Sequence, residues 1–303
     1  MKIKRKLLIS YIIIALFSIL LVSIPVVASQ AAAMEKDIVQ LSESQINNAK
    51  ISIENFFKNA MTMVKDLVPY VNSHELELKQ TQEDFLSLAK ENETFLCLYY
   101  ADEIQMKDGG MAYSSDGWFP DETYDKYSRD WFIQARDSSN VIITEPYIDD
   151  DTKELVTTVC YAVHKESKFA GVIAIDILMT KLSDSISNIK ITDKGLSFLL
   201  NKNGNYLTHQ NQEKILSANF FDDYSELKKY QAELENDTVV KIKAGGGLYF
   251  MAEKINDEND WFFVTIGSTK DLYAQIDKIL FICFIIGFVT IVIATLLSLL
   301  IAI

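Results

Sequence analysis

The residues of this chain best suited to chemistry gather in one region. Tyr124-Asp-Lys-Tyr-Ser-Arg-Asp-Trp-Phe132 is followed by Thr144-Glu-Pro-Tyr-Ile-Asp149 and then by Gly171-Val-Ile-Ala-Ile-Asp176. Arg129 carries a planar fork of N–H donors that matches a carboxylate with two parallel hydrogen bonds. Asp149 and Asp176 offer carboxylates that accept from an ammonium. Tyr124, Trp131, Phe132 and Tyr147 supply rings that wall such a space and keep water out, and a drier site strengthens each polar contact. Opposed charges between aromatic walls are what a zwitterionic amino acid requires of a pocket. Asp176 is the sharpest of these signals. It interrupts the apolar run 171–178, so it must face the core or a cavity, and a carboxylate in such a place needs a partner. A structural ion pair, with Arg129 itself, is the alternative role for Asp176. Turn chemistry is the alternative for Asp149 and the expected role of Asp150 and Asp151. For Trp118, Trp131 and Phe132 the alternative is plain core.

Other chemistries find little support. His74, His164 and His209 are scattered and lack metal-ligand spacing, so no zinc site is expected. Gly245-Gly-Gly247 has no Gly-Lys-Ser/Thr ending and lies between strand-like runs, which makes it a hairpin turn rather than a phosphate loop. Segment 149–154 lacks the alternating oxygen ligands and late Glu of a calcium loop. No Ser/His/Asp or Cys/His set stands out, and no pair among the many carboxylates is singled out. The chain is therefore expected to be no enzyme and to use no cofactor or metal, with a carboxylate hydrolase as the distant rival. A formal charge of −13 disfavours nucleic acid, whose phosphates call for a basic face.

The elements that must hold these residues follow from periodicity. From 31 to about 68 the chain has no Gly or Pro, and Ile38, Leu41, Ile46, Ile53, Phe56, Phe57, Met61 and Val64 recur at helical spacing. A shorter helix is expected over 81–90. Strands follow at 94–101, at 111–114 after a Gly109-Gly110 turn, and at 141–144, 155–165 and 168–177. The last two read as a hairpin closed by the short polar Lys165-Glu-Ser-Lys168. Between them and the earlier strands, 115–140 reads as a long irregular segment carrying Trp118 and Trp131, and long aromatic loops are often functional. A connecting helix over 179–189 leads to a second unit with strands at 196–201, 204–208, 239–243, 248–255 and 261–267. A helical stretch over 271–278 comes last. Such an order indicates an α+β fold and not an alternating βαβ sheet. Cys97 and Cys160 sit in strand-like runs, as buried thiols or as a bridge, and Cys283 sits in an apolar run, so 3 cysteines define no disulfide framework.

The two ends of the chain set its compartment. Runs 7–28 and 279–303 are apolar and free of charge, and about 20 such residues suffice to span a bilayer as a helix. Lys2, Lys4, Arg5 and Lys6 before the first run favour a cytoplasmic N-terminus. The first run has a cleaved signal peptide as its alternative, with Val26-Val27-Ala28 as the cleavage site, although it exceeds the usual apolar length of one. The second run is apolar on every face, unlike a core helix. Residues 29–278 are thus expected outside the cell, as the extracytoplasmic part of a two-pass protein of the plasma (inner) membrane.

The motif region resembles the double-Cache sensor domains of bacterial chemoreceptors, the methyl-accepting chemotaxis proteins, and of related transmembrane receptors, over about residues 30–272. In the amino-acid-binding branch, the membrane-distal module carries a Tyr, an Arg-x-Trp-Tyr element, a later Tyr-x-Asp and a final Asp. These fall here on Tyr124, on Arg129, Trp131 and Phe132, on Tyr147 and Asp149, and on Asp176. The resemblance implies a long N-terminal helix plus two PAS-like α/β modules with antiparallel sheets, flanked by two transmembrane helices. It divides the chain into a cytoplasmic start (1–6), a first span (7–28), a membrane-distal ligand-binding module (29–190), a membrane-proximal module (191–278) and a second span (279–303). It also implies a homodimer, with Arg129 and Trp131 holding the carboxylate of an amino-acid ligand, and Tyr147, Asp149 and Asp176 its ammonium. Phe132 departs from the pattern, because Tyr usually stands there; one hydroxyl is missing, which puts carboxylate affinity or ligand choice in doubt. In the family the part beyond the second span is a chemotaxis signalling domain, a histidine kinase or a nucleotide cyclase. Chemotaxis is the expected output. A tethered binding protein with no output of its own is the alternative, since the sequence stops at Ile303.

Overall fold

A computed structural model describes residues 2–236, 238–255 and 260–302, without the side chains of 2–9, 11, 12, 15, 16, 19, 22, 235, 236, 275, 276, 294 and 297–302. Helix α1, Lys2–Asp66, is a single element of 65 residues, roughly 100 Å long at the α-helical rise. The helix expected over 31–68 is its second half. There Ile46, Ala49, Ile53, Phe57, Ala60 and Val64, three or four residues apart, bury one stripe. Helix α2 (Val68–Ser73) restarts the chain with Pro69 in its first turn, where a missing N–H leaves no bond unmade. Helix α3 (Leu78–Ala89) follows.

The first sheet is antiparallel. It contains β1 (Phe95–Asp102), β2 (Ala112–Ser114), β3 (Ile142–Ile143), β4 (Tyr147–Ile148), β5 (Leu155–Lys165) and β6 (Lys168–Leu178), in the order β2-β1-β6-β5-β3 with β4 also on β5. The β5–β6 hairpin closes through Glu166 and Ser167 at φ 50° and 67°, the left-handed pair that a two-residue type I′ turn demands. The segment 115–140 is less irregular than expected. It holds a 3₁₀ turn, Lys126–Ser128, capped by the Asp125 side chain on the Tyr127 N–H, and then helix α4 (Asp130–Arg136).

Helix α5 (Met179–Ser187) leads to the second sheet: β7 (Leu196–Asn201), then α6 (Phe220–Asp223), β8 (Thr238–Gly245), β9 (Leu248–Lys254) and β10 (Trp261–Ser268), in the order β7-β10-β9-β8. The strand expected at 204–208 is absent as a strand and survives only as isolated bridges, Leu200 to Tyr206 and Asn205 to Asn219. Gly204 at φ 84° turns the chain back at once, and the Leu199 N–H is taken by the Thr208 hydroxyl. Helices α7 (Thr269–Leu272) and α8 (Ala274–Ala302) end the chain.

Among the described residues, no helix is long and apolar enough to cross a membrane. The runs 7–28 and 279–303 fall in α1 and α8, which pack together; residue 303 of the second run lies outside the described residues, and several side chains of both runs are not described. Most of the apolar side chains described there stand exposed, among them Ile14, Phe17, Leu21, Phe281, Phe284 and Phe288.

Strand alternation decides which residues meet which layer. On the central strand β6, Ile173, Ile175 and Ile177 join the α1 stripe in the main core. Val172 and Ala174 face the other way and pack with Trp131, Phe132 and Ala135 of α4. Asp176 belongs to that second face. On β1 the same rule sends Leu98 and Tyr100 to the α1 side, while Cys97, Tyr99 and Ala101 turn towards α4. Cys97 and Cys160 are both buried and free.

Candidate functional site

The face of the first sheet turned away from α1 carries a cavity of ≈ 40 Å³. Its floor is a product of alternation: Ala112 and Ser114 of β2, Cys97, Tyr99 and Ala101 of β1, and Asp176 of β6. The roof comes from the chain between β2 and α4, through Trp118, Tyr124, Lys126 and Arg129, and from Trp131 in the first turn of α4. The turn after β4 supplies the rim. Tyr124, Arg129, Trp131, Tyr147, Asp149 and Asp176 thus meet around one space. Phe132 does not. It is fully buried behind the roof, with its ring 5.4 Å from Trp131 and 5.7 Å from Phe169.

Asp176 is 2% exposed. Its Oδ1 accepts from the hydroxyls of Thr158 at 2.6 Å, Tyr99 at 3.1 Å and Tyr147 at 3.3 Å, and Oδ2 accepts from the Cys97 thiol at 3.6 Å. Among the described residues no Lys or Arg pairs with it, so the alternative of an Asp176–Arg129 bridge is not realised. Burial lifts its carboxyl to about 6; the Thr158 hydroxyl opposes that rise and the Asp149 charge adds to it. Burial and the Asp176 charge hold the Tyr99 and Tyr147 hydroxyls well above the ordinary tyrosine range, so both remain donors. Burial also pushes Tyr124 up to about 12, against the pull of Arg129. The site therefore presents a buried carboxylate supported by neutral donors and lacking a cation.

Arg129 closes the roof. Its guanidinium carbon lies 6.0 Å from the Tyr124 ring centroid and 5.7 Å from that of Tyr147, within cation–π range. One nitrogen pairs with Asp150 at 2.9 Å. A guanidinium has five donors, so several stay open to a ligand carboxylate. Asp150 is the partner of Arg129, whereas Asp149 shapes the turn, its Oδ1 accepting from the Asp151 N–H at 3.2 Å and from the Thr152 N–H and hydroxyl at 2.7 Å each. Asp149 still lines the cavity.

Sequence reasoning passed over Lys126, Tyr99, Cys97, Thr158 and Asp150. The signal for Tyr99 and Cys97 was present: both share a strand face with Ala101. Lys126 stands three residues before Arg129, at the start of the 3₁₀ turn that Arg129 ends.

Comparison with known proteins adds the following. A family model described as Cache domain matches residues 30–276. Methyl-accepting chemotaxis protein McpG of Pseudomonas putida is 25% identical over 191 residues, which cover 62% of this chain and 28% of that protein's length. Among solved structures, the ligand-binding domain of the Pseudomonas fluorescens chemoreceptor CtaA in complex with L-serine superposes with a TM-score of 0.61 at 16% identity, over 78% of this chain and 99% of that one. The extracellular domain of the putative histidine kinase mmHK1S-Z3 does so with a TM-score of 0.62 at 16% identity, over 82% and 98%. At these identities the two likenesses concern the fold.

Proposed function

Because the chain belongs to the Cache domain family, we propose that it is the sensor part of a transmembrane receptor that binds a small amino acid, or a related amine, outside the cell. Residues 29–190 form the ligand-binding module and 191–278 the membrane-proximal one, between spans at 7–28 and 279–303 in the plasma (inner) membrane. The exposed apolar side chains of α1 and α8 support that topology, since a large exposed apolar surface calls for lipid or a partner.

The observation that carries the reading is the uncompensated Asp176. A buried carboxylate surrounded by neutral donors, facing a guanidinium across a small cavity, is complementary to an α-ammonium and an α-carboxylate on one carbon. Arg129 takes the carboxylate; Asp176, with Tyr147 and Asp149, takes the ammonium. The serine complex of CtaA supports this choice of ligand. Signalling is a population shift. A ligand bridging the roof and β6 favours the closed arrangement by its differential affinity for it. The change then passes along β6 and α5 to the second sheet and α8, in a homodimer paired along α1. McpG supports chemotaxis as the output. The likeness to mmHK1S-Z3 favours a second reading, in which the same sensor feeds a histidine kinase.

Calorimetry of the full chain in detergent micelles against the amino acids and small amines tests the site. Saturable binding without turnover is expected, and Arg129→Ala should abolish it. A chain that binds none of them, or that binds equally well after Arg129→Ala, would sink the assignment.

A further inference from the structure

The roof carries a second cation that the pairing of Arg129 and Asp176 with a ligand leaves unused. Lys126 opens the 3₁₀ turn and Arg129 is the extended residue that ends it, and both line the same cavity. The Lys126 side chain is 1% exposed. Its Nζ donates to Asp102 Oδ1 at 2.6 Å and lies 5.9 Å from the centroid of the Phe132 ring. Asp102 is not in the cavity wall. It ends β1, and the same oxygen accepts the Ile104 N–H at 3.2 Å, so the carboxylate backs the ammonium from outside. An ammonium has three donors. Asp102 takes one, and among the described residues no second acceptor meets it. Buried donors are nearly always satisfied in native proteins, and Lys126 lines the cavity.

The wall beside Lys126 is otherwise small and apolar. Ala101 and Ala112 face each other across β1 and β2, and Met106 closes the end. We propose that this is the side-chain subsite of the ligand, and that Lys126 selects an α-amino acid whose short side chain ends in an uncharged hydrogen-bond acceptor, a carboxamide or a hydroxyl. The inference rests on the amino-acid reading above, in which Arg129 and Asp176 hold the two α-groups.

Charge decides between a neutral acceptor and a carboxylate. Lys126 is already balanced by Asp102, and Arg129 by Asp150. Asp116, Asp149, Asp151 and Asp176 add further acids to the wall, and the ligand brings one ammonium. A second ligand carboxylate meets surplus negative charge. An apolar side chain of the same shape leaves the ammonium donors unpaired, and a site built around hydrogen bonds rejects such analogues strongly. The small volume favours a compact side chain.

The test is calorimetry of the full chain in micelles with asparagine, serine, alanine, leucine and aspartate. Asparagine or serine is expected to bind tightest, with leucine and aspartate each weaker by at least about tenfold, the loss expected for an unpaired buried donor or a repelled charge. Lys126→Met combined with Asp102→Asn removes both charges of the pair. It should weaken asparagine about 10- to 100-fold and alanine less than about threefold, so that asparagine and leucine converge. Leucine or aspartate binding the unaltered chain as tightly as asparagine overturns the subsite and leaves the amino-acid reading standing. Equal losses for alanine and asparagine in the double variant do the same, and make Lys126–Asp102 a structural pair. Absence of binding by any amino acid overturns both. Should the variant fail to give a cooperative thermal melt, the ratios in the unaltered chain decide alone.

Discussion

The two sheets use the same kind of surface in opposite ways. On the first, the face away from α1 presents Cys97, Ala101, Ala112 and Ser114, small residues that leave space, and sets one carboxylate among them. On the second, Phe198 and Phe250 project towards Tyr206, Phe220 and Phe221. Those rings interlock, with centroids 5.0 Å apart for Phe198 and Tyr206 and for Phe220 and Phe221, and 5.5 Å for Phe220 and Phe250. All five are buried. Antiparallel topology is common to both sheets, so the volume of the side chains on one face, and not the arrangement of strands, separates the sheet that holds a cavity from the sheet that holds a core.

The largest expected effect comes from hollowing the packed sheet. Phe250→Ala should cost about 3–5 kcal/mol of stability, as deletions of buried aromatic rings do, read from urea unfolding. Ligand affinity, measured where the variant is still folded, should change far less. The converse experiment is Asp176→Asn in the hollow sheet. Affinity for the best ligand should fall about 100- to 1000-fold, because the ligand ammonium loses its buried partner. The ligand-free melting temperature at pH 7.5 should rise, because a buried charge without a cation has been removed. A fall in both quantities would show that Asp176 serves the core and erase the contrast.

The pH dependence is smaller and its sign is fixed. The Asp176 carboxyl is raised from 3.8 to about 6, so the folded ligand-free protein holds this proton more tightly than the unfolded chain. The group's contribution to stability is complete below about pH 4 and is lost as pH rises through 6. An ammonium ligand needs the charged form. Its affinity should be level above about pH 7 and weaken on acidification through 6, by up to about tenfold per unit. Calorimetry across pH checks this, and the dependence should vanish in Asp176→Asn. Smallest of all is Phe132→Tyr. Phe132 is core rather than wall, so restoring the hydroxyl usual in the family should move affinity less than about threefold, while a new buried hydroxyl costs about 1–3 kcal/mol of stability. A large gain in affinity, measured by the same titration, would return Phe132 to the site.

Much of this contrast was legible before any coordinates. The strand-like runs 155–165 and 168–177 and their short polar join give the β5–β6 hairpin to within a residue. An aspartate inside an apolar strand has to face something polar, as Asp176 does. What escaped the sequence lies where periodicity stops. Which way a side chain turns in the connection from β2 to α4 depends on the docking of that segment onto the sheet, so Lys126, a type seldom buried, gave no local sign of its place. The pairing of Asp150 with Arg129 has the same origin, since adjacent carboxylates in a turn differ only in direction. Strand 204–208 failed because a single left-handed glycine outweighs a run of strand-forming residues.

One strand thickness separates the cavity from the α1 interface in β6, and this constrains how such a protein can evolve. Its odd-numbered isoleucines grip α1 while Asp176 looks into the cavity. Deleting or inserting one residue between Val172 and Asp176 would exchange the faces, driving a carboxylate into the α1 interface. A change of two residues would restore them. Descendants of this chain can therefore alter the length of β6 only in pairs, although the loop above it is free to vary one residue at a time.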